Sequence, residues 1–272
     1  MIHRRHVLGL LAAAGCLPAR SFADVAPQRS EIREGLLKHF ADDGTEGTFV
    51  GYKVDEYLVI ASDNTRSGEG KLPASTFKVA NSLIALETGV VEDPDKDVFR
   101  WDGVKRPIEA WNRDHTMRSA IAASAVPVYQ EIARRIGEER MQKYVTLLDY
   151  GNKDIGGGID QFWLTGNLRI DPVQQVDFLD RLRRGVLPIS KRSQELVRNI
   201  LPVTKVGDTV IRAKSGLLGA EHGQPSLGWM VGWVEKGEAR TVFALNMDCK
   251  EPRLIGERMP LTQACLKDID AI

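Results

Sequence analysis

Strand-like patterns lie near the two ends of this 272-residue sequence, and helical patterns fill the middle. Near the start, β-branched and aromatic runs at 47–54 and 57–62 predict a hairpin. Near the end, alternating runs predict strands at 208–213, 227–234 and 241–248. Helices inserted between the two ends of one antiparallel sheet make an α+β architecture.

Apolar residues recur at helical spacing in seven other segments. These predicted helices cover 30–40, 117–123, 127–136, 138–148, 172–184, 190–201 and 261–269. The sequence contains no internal repeat and no linker rich in Pro, Gly or Ser. We therefore predict one domain over 24–272, with a sheet part at about 24–66 and 204–272 and a helical part at about 67–203.

The first 23 residues have a basic start, an apolar centre and a small-residue exit. This pattern predicts an export signal that is cleaved after about Ala23. The pair Arg4-Arg5 leaves a twin-arginine route open beside the general secretory route. A lipoprotein alternative at Cys16 also stays open. No apolar run reaches the roughly 20 residues that a membrane span needs, so we expect no membrane association after cleavage.

The charged residues balance, with 37 Lys and Arg against 37 Asp and Glu. Nothing in this balance indicates a nucleic-acid partner, so a small-molecule substrate is expected. The five histidines show no metal-ligand spacing, and we predict no metal site. After signal cleavage Cys249 and Cys265 remain, either as a disulfide or as buried thiols.

The stretch from Leu72 to Gly89 predicts one helix that begins very near Ser75. Pro73 suits a first helical turn, where its missing N–H needs no partner, and Gly89 is typical of a C-terminal stop. Ser75 and Lys78 are three residues apart and share one face of that first turn. Free backbone N–H groups there favour a developing negative charge, so a nucleophile, a base and an oxyanion site could lie together.

Lys78 can act as a base only if its pKa is lowered. An ordinary lysine has a pKa of about 10.4, and only about one part in a thousand is neutral near pH 7.4. The neighbours Phe77 and Val79 indicate burial, which can lower a lysine pKa by about 3–5 units. The alternative is a capping Ser75 and a solvated Lys78, an arrangement that is common at helix starts.

Three further short motifs follow in order: Ser124-Ala125-Val126, Tyr150-Gly151-Asn152 and Lys214-Ser215-Gly216. Together with Ser75-Thr76-Phe77-Lys78 they resemble the class D β-lactamases, within the penicillin-recognising serine enzymes. Class A enzymes carry Ser-Asp-Asn at the second motif and rely on a separate Glu, which this chain lacks. The resemblance implies a β-lactamase/transpeptidase-like fold, with a central antiparallel sheet flanked by helices and an inserted all-helical subdomain.

The resemblance also implies catalytic roles. Ser75 would be the acyl-ester nucleophile, and Lys78 would react with carbon dioxide to form N6-carboxylysine, the general base. Ser124 would relay a proton to the leaving nitrogen. The residues around the carbamate and its water would be Val126, Trp163 and Leu164, with Trp163 donating its indole N–H.

The substrate-binding residues implied by the resemblance are Tyr150, Asn152, Lys214, Ser215, Gly216, Leu217 and Arg258. The backbone N–H groups of Ser75 and Leu217 would form the oxyanion hole. Arg258 would pair with the substrate carboxylate, and Arg253 stays a rival for that role.

The function implied by the resemblance is hydrolysis of the β-lactam amide ring by an exported, periplasmic enzyme that confers antibiotic resistance. No cofactor is expected beyond the carbamate on Lys78. Two alternatives remain open: a non-hydrolytic β-lactam sensor domain, and a penicillin-binding transpeptidase or carboxypeptidase. Oligomeric state and the preference among penicillins, oxacillin, cephalosporins and carbapenems do not follow from the sequence.

Overall fold

A seven-stranded sheet forms the centre of the computed structural model, which describes residues 29–219 and 226–272. Its strands are β1 Arg29–Ile32, β2 Gly47–Lys53, β3 Leu58–Ala61, β4 Val203–Val206, β5 Thr209–Leu218, β6 Ser226–Lys236 and β7 Ala239–Cys249. Their spatial order is β1-β3-β2-β7-β6-β5-β4. The strands therefore come from both ends of the chain, and the predicted α+β arrangement is confirmed.

Helices cover both faces of the sheet. They are α1 Leu37–Asp42, α2 Lys78–Glu87, α3 Met117–Ala122, α4 Val126–Ile136, α5 Glu138–Leu147, α6 Pro172–Arg184, α7 Lys191–Ile200 and α8 Leu254–Asp268. Helices α2 to α7 belong to the larger apolar core, which includes Phe77 and Trp163. Helices α1 and α8 pack on the other face, in a second core that includes Phe40 and Leu266. The catalytic candidates lie where the helical insert meets strand β5.

The predicted helix at 30–40 is wrong in its first half. Residues 29–32 form strand β1, which pairs parallel with β3, and a 3₁₀ turn at Glu34–Leu36 precedes α1. All four residues of β1 are exposed, so no buried face leaves a period-2 pattern in the sequence. The sheet is consequently mixed rather than purely antiparallel, because the remaining strand pairs are antiparallel.

Two further elements differ from the sequence prediction: a helix that begins earlier and a strand that was not predicted. The last helix begins at Leu254 and contains Pro260, whereas the prediction began at 261, after the proline. Both Pro260 and Gly256 are exposed, so water can reach the carbonyl that the missing N–H leaves unpaired. Strand β4 has a mostly exposed side-chain pattern and gave no hydrophobic signal.

The predicted export signal at 1–23 lies outside the described residues. Within the described ranges, no helix is both long and apolar enough to span a membrane. Cys249 and Cys265 are both buried, and neither forms a disulfide. Of the two alternatives that the sequence left open, the structure therefore shows buried thiols.

Candidate active site

Ser75 lies in a 3₁₀ turn, Ala74–Phe77, that leads directly into α2. The helix thus begins close to Ser75, as predicted. Ala74 has a positive φ of 49°, which is uncommon for a residue with a side chain. Its N–H donates to the carbonyl of Trp163 at 3.1 Å, and this bond helps to hold the strained turn. The nucleophile candidate therefore sits on a fixed backbone.

Lys78 is fully buried, and its Nζ forms a 2.7 Å hydrogen bond with Ser75 Oγ. Burial lowers the pKa of Lys78 well below its usual value, and the nearby charge of Lys214 lowers it further. The ring of Tyr129 covers the amine at 5.4 Å from Nζ to the ring centroid. The alternative of a solvated lysine is excluded, and a neutral amine beside the Ser75 hydroxyl can take its proton.

Ser124 meets strand β5 through Lys214, whose Nζ donates to Ser124 Oγ at 3.0 Å and to the Ser215 carbonyl at 2.8 Å. Lys214 is almost completely buried. Burial, and then the charge of Arg258, lower the pKa of Lys214 to about 7. Ser124 has a φ of 54°, a second strained residue in the site. The pair can therefore exchange a proton near neutral pH.

The end of strand β5 lies against the 3₁₀ turn Ala74–Phe77, which carries Ser75. A Cβ on Gly216 would lie 3.2 Å from the Pro73 carbonyl oxygen and 3.2 Å from the Thr76 methyl carbon, so a side chain there would press on the turn. The Ala213 N–H donates to Pro202 on the side away from β6. N–H directions alternate along a strand, so the N–H of Leu217 points to that same side. It is free of pairing with β6 and can bind an oxyanion.

Arg258 reaches β5 from the second turn of α8. Its Nη1 donates to the Gly216 carbonyl at 2.6 Å and its Nε to Ile255 at 2.7 Å. Burial lowers the pKa of Arg258 from its usual value, and no Asp or Glu within 29–219 and 226–272 forms an ion pair with it. Arg253, by contrast, is exposed and bonds to Glu251. The structure thus brings Arg258 to the site and leaves Arg253 outside it.

Trp163 belongs to an aromatic cluster beneath the turn. Its ring stacks on Phe77 with centroids 5.5 Å apart and meets Phe162 edge-on at 4.9 Å. The indole Nε1 is buried and has no hydrogen-bond partner among the described residues. Buried donors are nearly always paired, so this one indicates an acceptor that the described residues do not supply. Leu164 packs against the same core, and Val126 begins α4, two residues after Ser124.

The predicted substrate contact of Tyr150 needs correction, whereas that of the exposed Asn152 stays a prediction. Tyr150 is fully buried, with its ring edge-on to Phe77 at 5.5 Å, so it has no surface to offer a ligand. The Asn152 side chain is engaged with the chain itself, since it donates to the Asn167 carbonyl at 2.9 Å and accepts from the Arg169 N–H at 3.0 Å. Asn152 therefore supports the loop after Trp163, whereas Tyr150 belongs to the aromatic core beside Phe77.

Two supporting residues were not singled out from the sequence. Tyr129 is held by α2, because Asn81 donates to its carbonyl at 3.2 Å and Ser82 Oγ lies 2.8 Å from its hydroxyl oxygen. Trp229 donates its indole N–H to the Leu72 carbonyl at 3.0 Å, just before the nucleophile turn. Tyr129 lies in an ordinary amphipathic pattern that gave no signal. Trp229 lies in the predicted strand 227–234 and carried no assigned role.

In the part of the chain that the structure describes, no three His, Cys, Asp or Glu side chains are placed to hold a metal ion. The groups that the described site offers for nucleophilic chemistry are the serine, lysine and backbone groups above.

Comparison with known proteins gives one consistent result. The family model for the penicillin-binding protein transpeptidase domain matches residues 48–269. The β-lactamase OXA-48 of Klebsiella pneumoniae is 43% identical over 229 residues, which cover 84% of this chain and 85% of that protein. The probable β-lactamase YbxI of Bacillus subtilis is 41% identical over 204 residues, 75% of each chain.

Solved structures agree with the sequence relatives. The crystal structure of FUS-1 (OXA-85), a class D β-lactamase from Fusobacterium nucleatum, has a TM-score of 0.84 at 35% identity. The match covers 89% of this chain and 100% of that one. A class D enzyme from Nostoc gives a TM-score of 0.83 at 37% identity. With this fold, these relatives and a buried Ser75–Lys78 pair, the chain belongs to the class D β-lactamases.

Proposed function

We propose that this protein hydrolyses the amide ring of β-lactam antibiotics through an acyl-enzyme on Ser75, and so confers antibiotic resistance. The observation that carries the proposal is the fully buried Lys78 amine, 2.7 Å from the Ser75 hydroxyl oxygen. Desolvation shifts an amine toward its neutral form, and a neutral amine can activate a serine that is otherwise inert.

Acylation follows from the positions of five residues. Ser75 Oγ attacks the ring carbonyl carbon while its proton passes to the base on the Lys78 side chain. The N–H groups of Ser75 and Leu217 bind the developing oxyanion, a contribution of about 3–4 kcal/mol per donor in other acyl-transfer enzymes. As the ring C–N bond breaks, Ser124 delivers a proton to the leaving nitrogen, and Lys214 at 3.0 Å can resupply it.

Deacylation needs a base for water, and the residues around Lys78 fit a carbamate. The orphaned Trp163 N–H is a donor without an acceptor in the described chain, and a neutral lysine amine is the form that reacts with carbon dioxide. Lys78 would hold the group and Trp163 would donate to it. When present, the carbamate supplies a general base that class A enzymes obtain from a Glu. Val126 and Leu164 would limit the entry of water.

Substrate binding relies on β5 and α8. A β-lactam carries a carboxylate, and the half-buried Arg258, whose guanidinium contacts β5 and forms no ion pair among the described residues, would receive it. Ser215 and Gly216 would lie along the bound substrate at the same strand end. Small-molecule β-lactams are thus the proposed partners.

Turnover separates this function from a β-lactam sensor or a transpeptidase. Purified protein is mixed with excess chromogenic cephalosporin, in degassed buffer and again with bicarbonate at neutral pH. We expect product well beyond one equivalent, faster with bicarbonate, and a carbamate carbon signal from labelled bicarbonate that disappears in Lys78→Ala. A single burst of one equivalent would contradict hydrolysis. Full activity without bicarbonate and without the signal would make the free amine the base.

We also propose that the mature chain acts in the periplasm after removal of residues 1–23. The basic start, apolar centre and small-residue exit of that segment support export. Fractionation of cells that produce the full chain, with N-terminal sequencing, would test the site near Ala23. A cytoplasmic, uncleaved product would contradict it.

A further inference from the structure

Arg258 reaches β5 only by crossing strand β6. It starts on α8, and its Nη1 ends on the Gly216 carbonyl of β5. Along this path its aliphatic stem passes over Gly228, which pairs with Leu217 in the β5–β6 register. The stem and Gly228 therefore share a narrow space immediately beside the residue whose N–H is assigned to the oxyanion.

Gly228 has no room for a side chain. An ideal Cβ at this position would lie 2.9 Å from Cδ and 3.2 Å from Cγ of Arg258. It would also lie 2.8 Å from the Cys249 sulphur, which closes the other side. Gly228 does not have a positive φ, so the backbone itself does not require glycine here. The space occupied by Arg258 and Cys249 is the reason.

Cys249 limits the space beside Gly228 and does not bind the guanidinium. The residue is buried next to the strand end. Burial raises the pKa of its thiol, although the charge of Arg258 opposes this shift. The sulphur is consequently neutral near pH 7 and fills space without forming an ion pair with Arg258.

We propose that Gly228 is a positioning residue for β-lactam recognition, because only a missing side chain lets the Arg258 stem lie flat across β6. The inference rests on the proposed role of Arg258 as the carboxylate anchor. Two hydrogen bonds, to the carbonyls of Gly216 and Ile255, fix the position of the guanidinium. A methyl group at 228 would push the stem outward and move the charge away from the carboxylate.

The test compares Gly228→Ala with Arg258→Ala and with Gly256→Ala, a control on the same helix where a Cβ meets no heavy atom within 4 Å. For a penicillin with a free carboxylate, we expect Gly228→Ala to raise KM about tenfold, with kcat within about twofold of the parent. Arg258→Ala should raise KM by about 30- to 150-fold, and Gly256→Ala should change neither constant.

A penicillin methyl ester supplies the readout that a purely structural defect would not produce. Without the carboxylate, the parent enzyme and Gly228→Ala should show nearly equal KM values. An equal loss for acid and ester would overturn the proposal, because general misfolding would then explain it. An unchanged KM in Gly228→Ala, beside a raised KM in Arg258→Ala, would also overturn it. If Arg258→Ala itself has no effect, the carboxylate anchor fails, and this inference fails with it.

The double variant Gly228→Ala/Cys249→Ala keeps the test valid if Gly228→Ala does not fold. Removal of the sulphur opens space on one side of the new methyl group. We expect the double variant to fold and to have a KM between those of the parent and Arg258→Ala. A double variant with a KM as high as that of Arg258→Ala would mean that the contact of the new methyl group with Cys249 has no effect on KM. That result would contradict the role given to Cys249.

Discussion

Trp163→Phe should cost little stability in carbon dioxide-free buffer, although Trp163 is fully buried. Its indole N–H is unpaired within the described chain, and a buried unpaired donor costs about 1–3 kcal/mol. Phenylalanine keeps a ring against Phe77 but leaves a small void, which costs about 1–2 kcal/mol. Because the two effects oppose each other, the free energy of unfolding should change by less than about 1 kcal/mol.

Trp229→Phe is the matched control. Trp229 is equally buried, but its N–H donates to the Leu72 carbonyl at 3.0 Å. The same loss of ring volume is now joined by a lost hydrogen bond, so we expect a total loss of about 2–4 kcal/mol. At about 2–4 °C per kcal/mol for a chain of this size, the two variants should differ in Tm by roughly 4–10 °C.

The measurement is thermal and urea unfolding of both variants and the parent, first in degassed buffer and then with bicarbonate. Bicarbonate should stabilise the parent by mass action and stabilise Trp163→Phe less, because the donor is gone. The reasoning is refuted if the two tryptophan variants lose equal stability in degassed buffer. Trp163 would then already have a partner in the unmodified protein.

Three other changes give separate tests. Ser75→Ala should abolish covalent labelling by a fluorescent penicillin while the Tm stays near that of the parent; labelling that survives would exclude Ser75 as the nucleophile. Arg258→Ala should weaken apparent substrate binding by about 2–3 kcal/mol in KM measurements, and the same loss in Arg253→Ala instead would show that the anchor is misassigned. The pKa of Lys214 is about 7 in the folded protein against 10.5 for an ordinary lysine. The unfolded chain therefore binds more protons between these values, and the free energy of unfolding should rise with pH there by about 1.4 kcal/mol per unit. Urea titrations should show that slope reduced in Lys214→Met; an identical slope in both proteins would mean that Lys214 is charged in the folded state.

The sequence predicted the close contact of Ser75 and Lys78 because local spacing determines it. Ser75 and Lys78 are one turn apart, and the apolar neighbours of Lys78 indicated the burial that lowers its pKa. Arg258 was assigned through the family resemblance, but the choice over Arg253 needed the contact with Gly216. That contact depends on how α8 packs across the sheet, which no local sequence pattern predicts.

The errors have physical causes. Tyr150 was assigned to substrate because a motif gives spacing, whereas its burial against Phe77 comes from tertiary packing. The predicted helix at 30–40 failed because β1 is held by backbone pairing alone and shows no buried face. The crowding at Gly228 was also beyond the sequence, since Cys249 and Arg258 reach it from different elements.

Detection of the acyl-enzyme is the most direct test of hydrolysis through Ser75. Protein is mixed with excess penicillin, quenched in acid at intervals and digested, and the peptides are weighed by mass spectrometry. We expect an adduct of one intact penicillin mass on the peptide that contains Ser75. That adduct should decline to nothing as substrate is consumed, and Ser75→Ala should show none. Continued turnover without an adduct on that peptide, or an adduct on another residue, would contradict hydrolysis through Ser75.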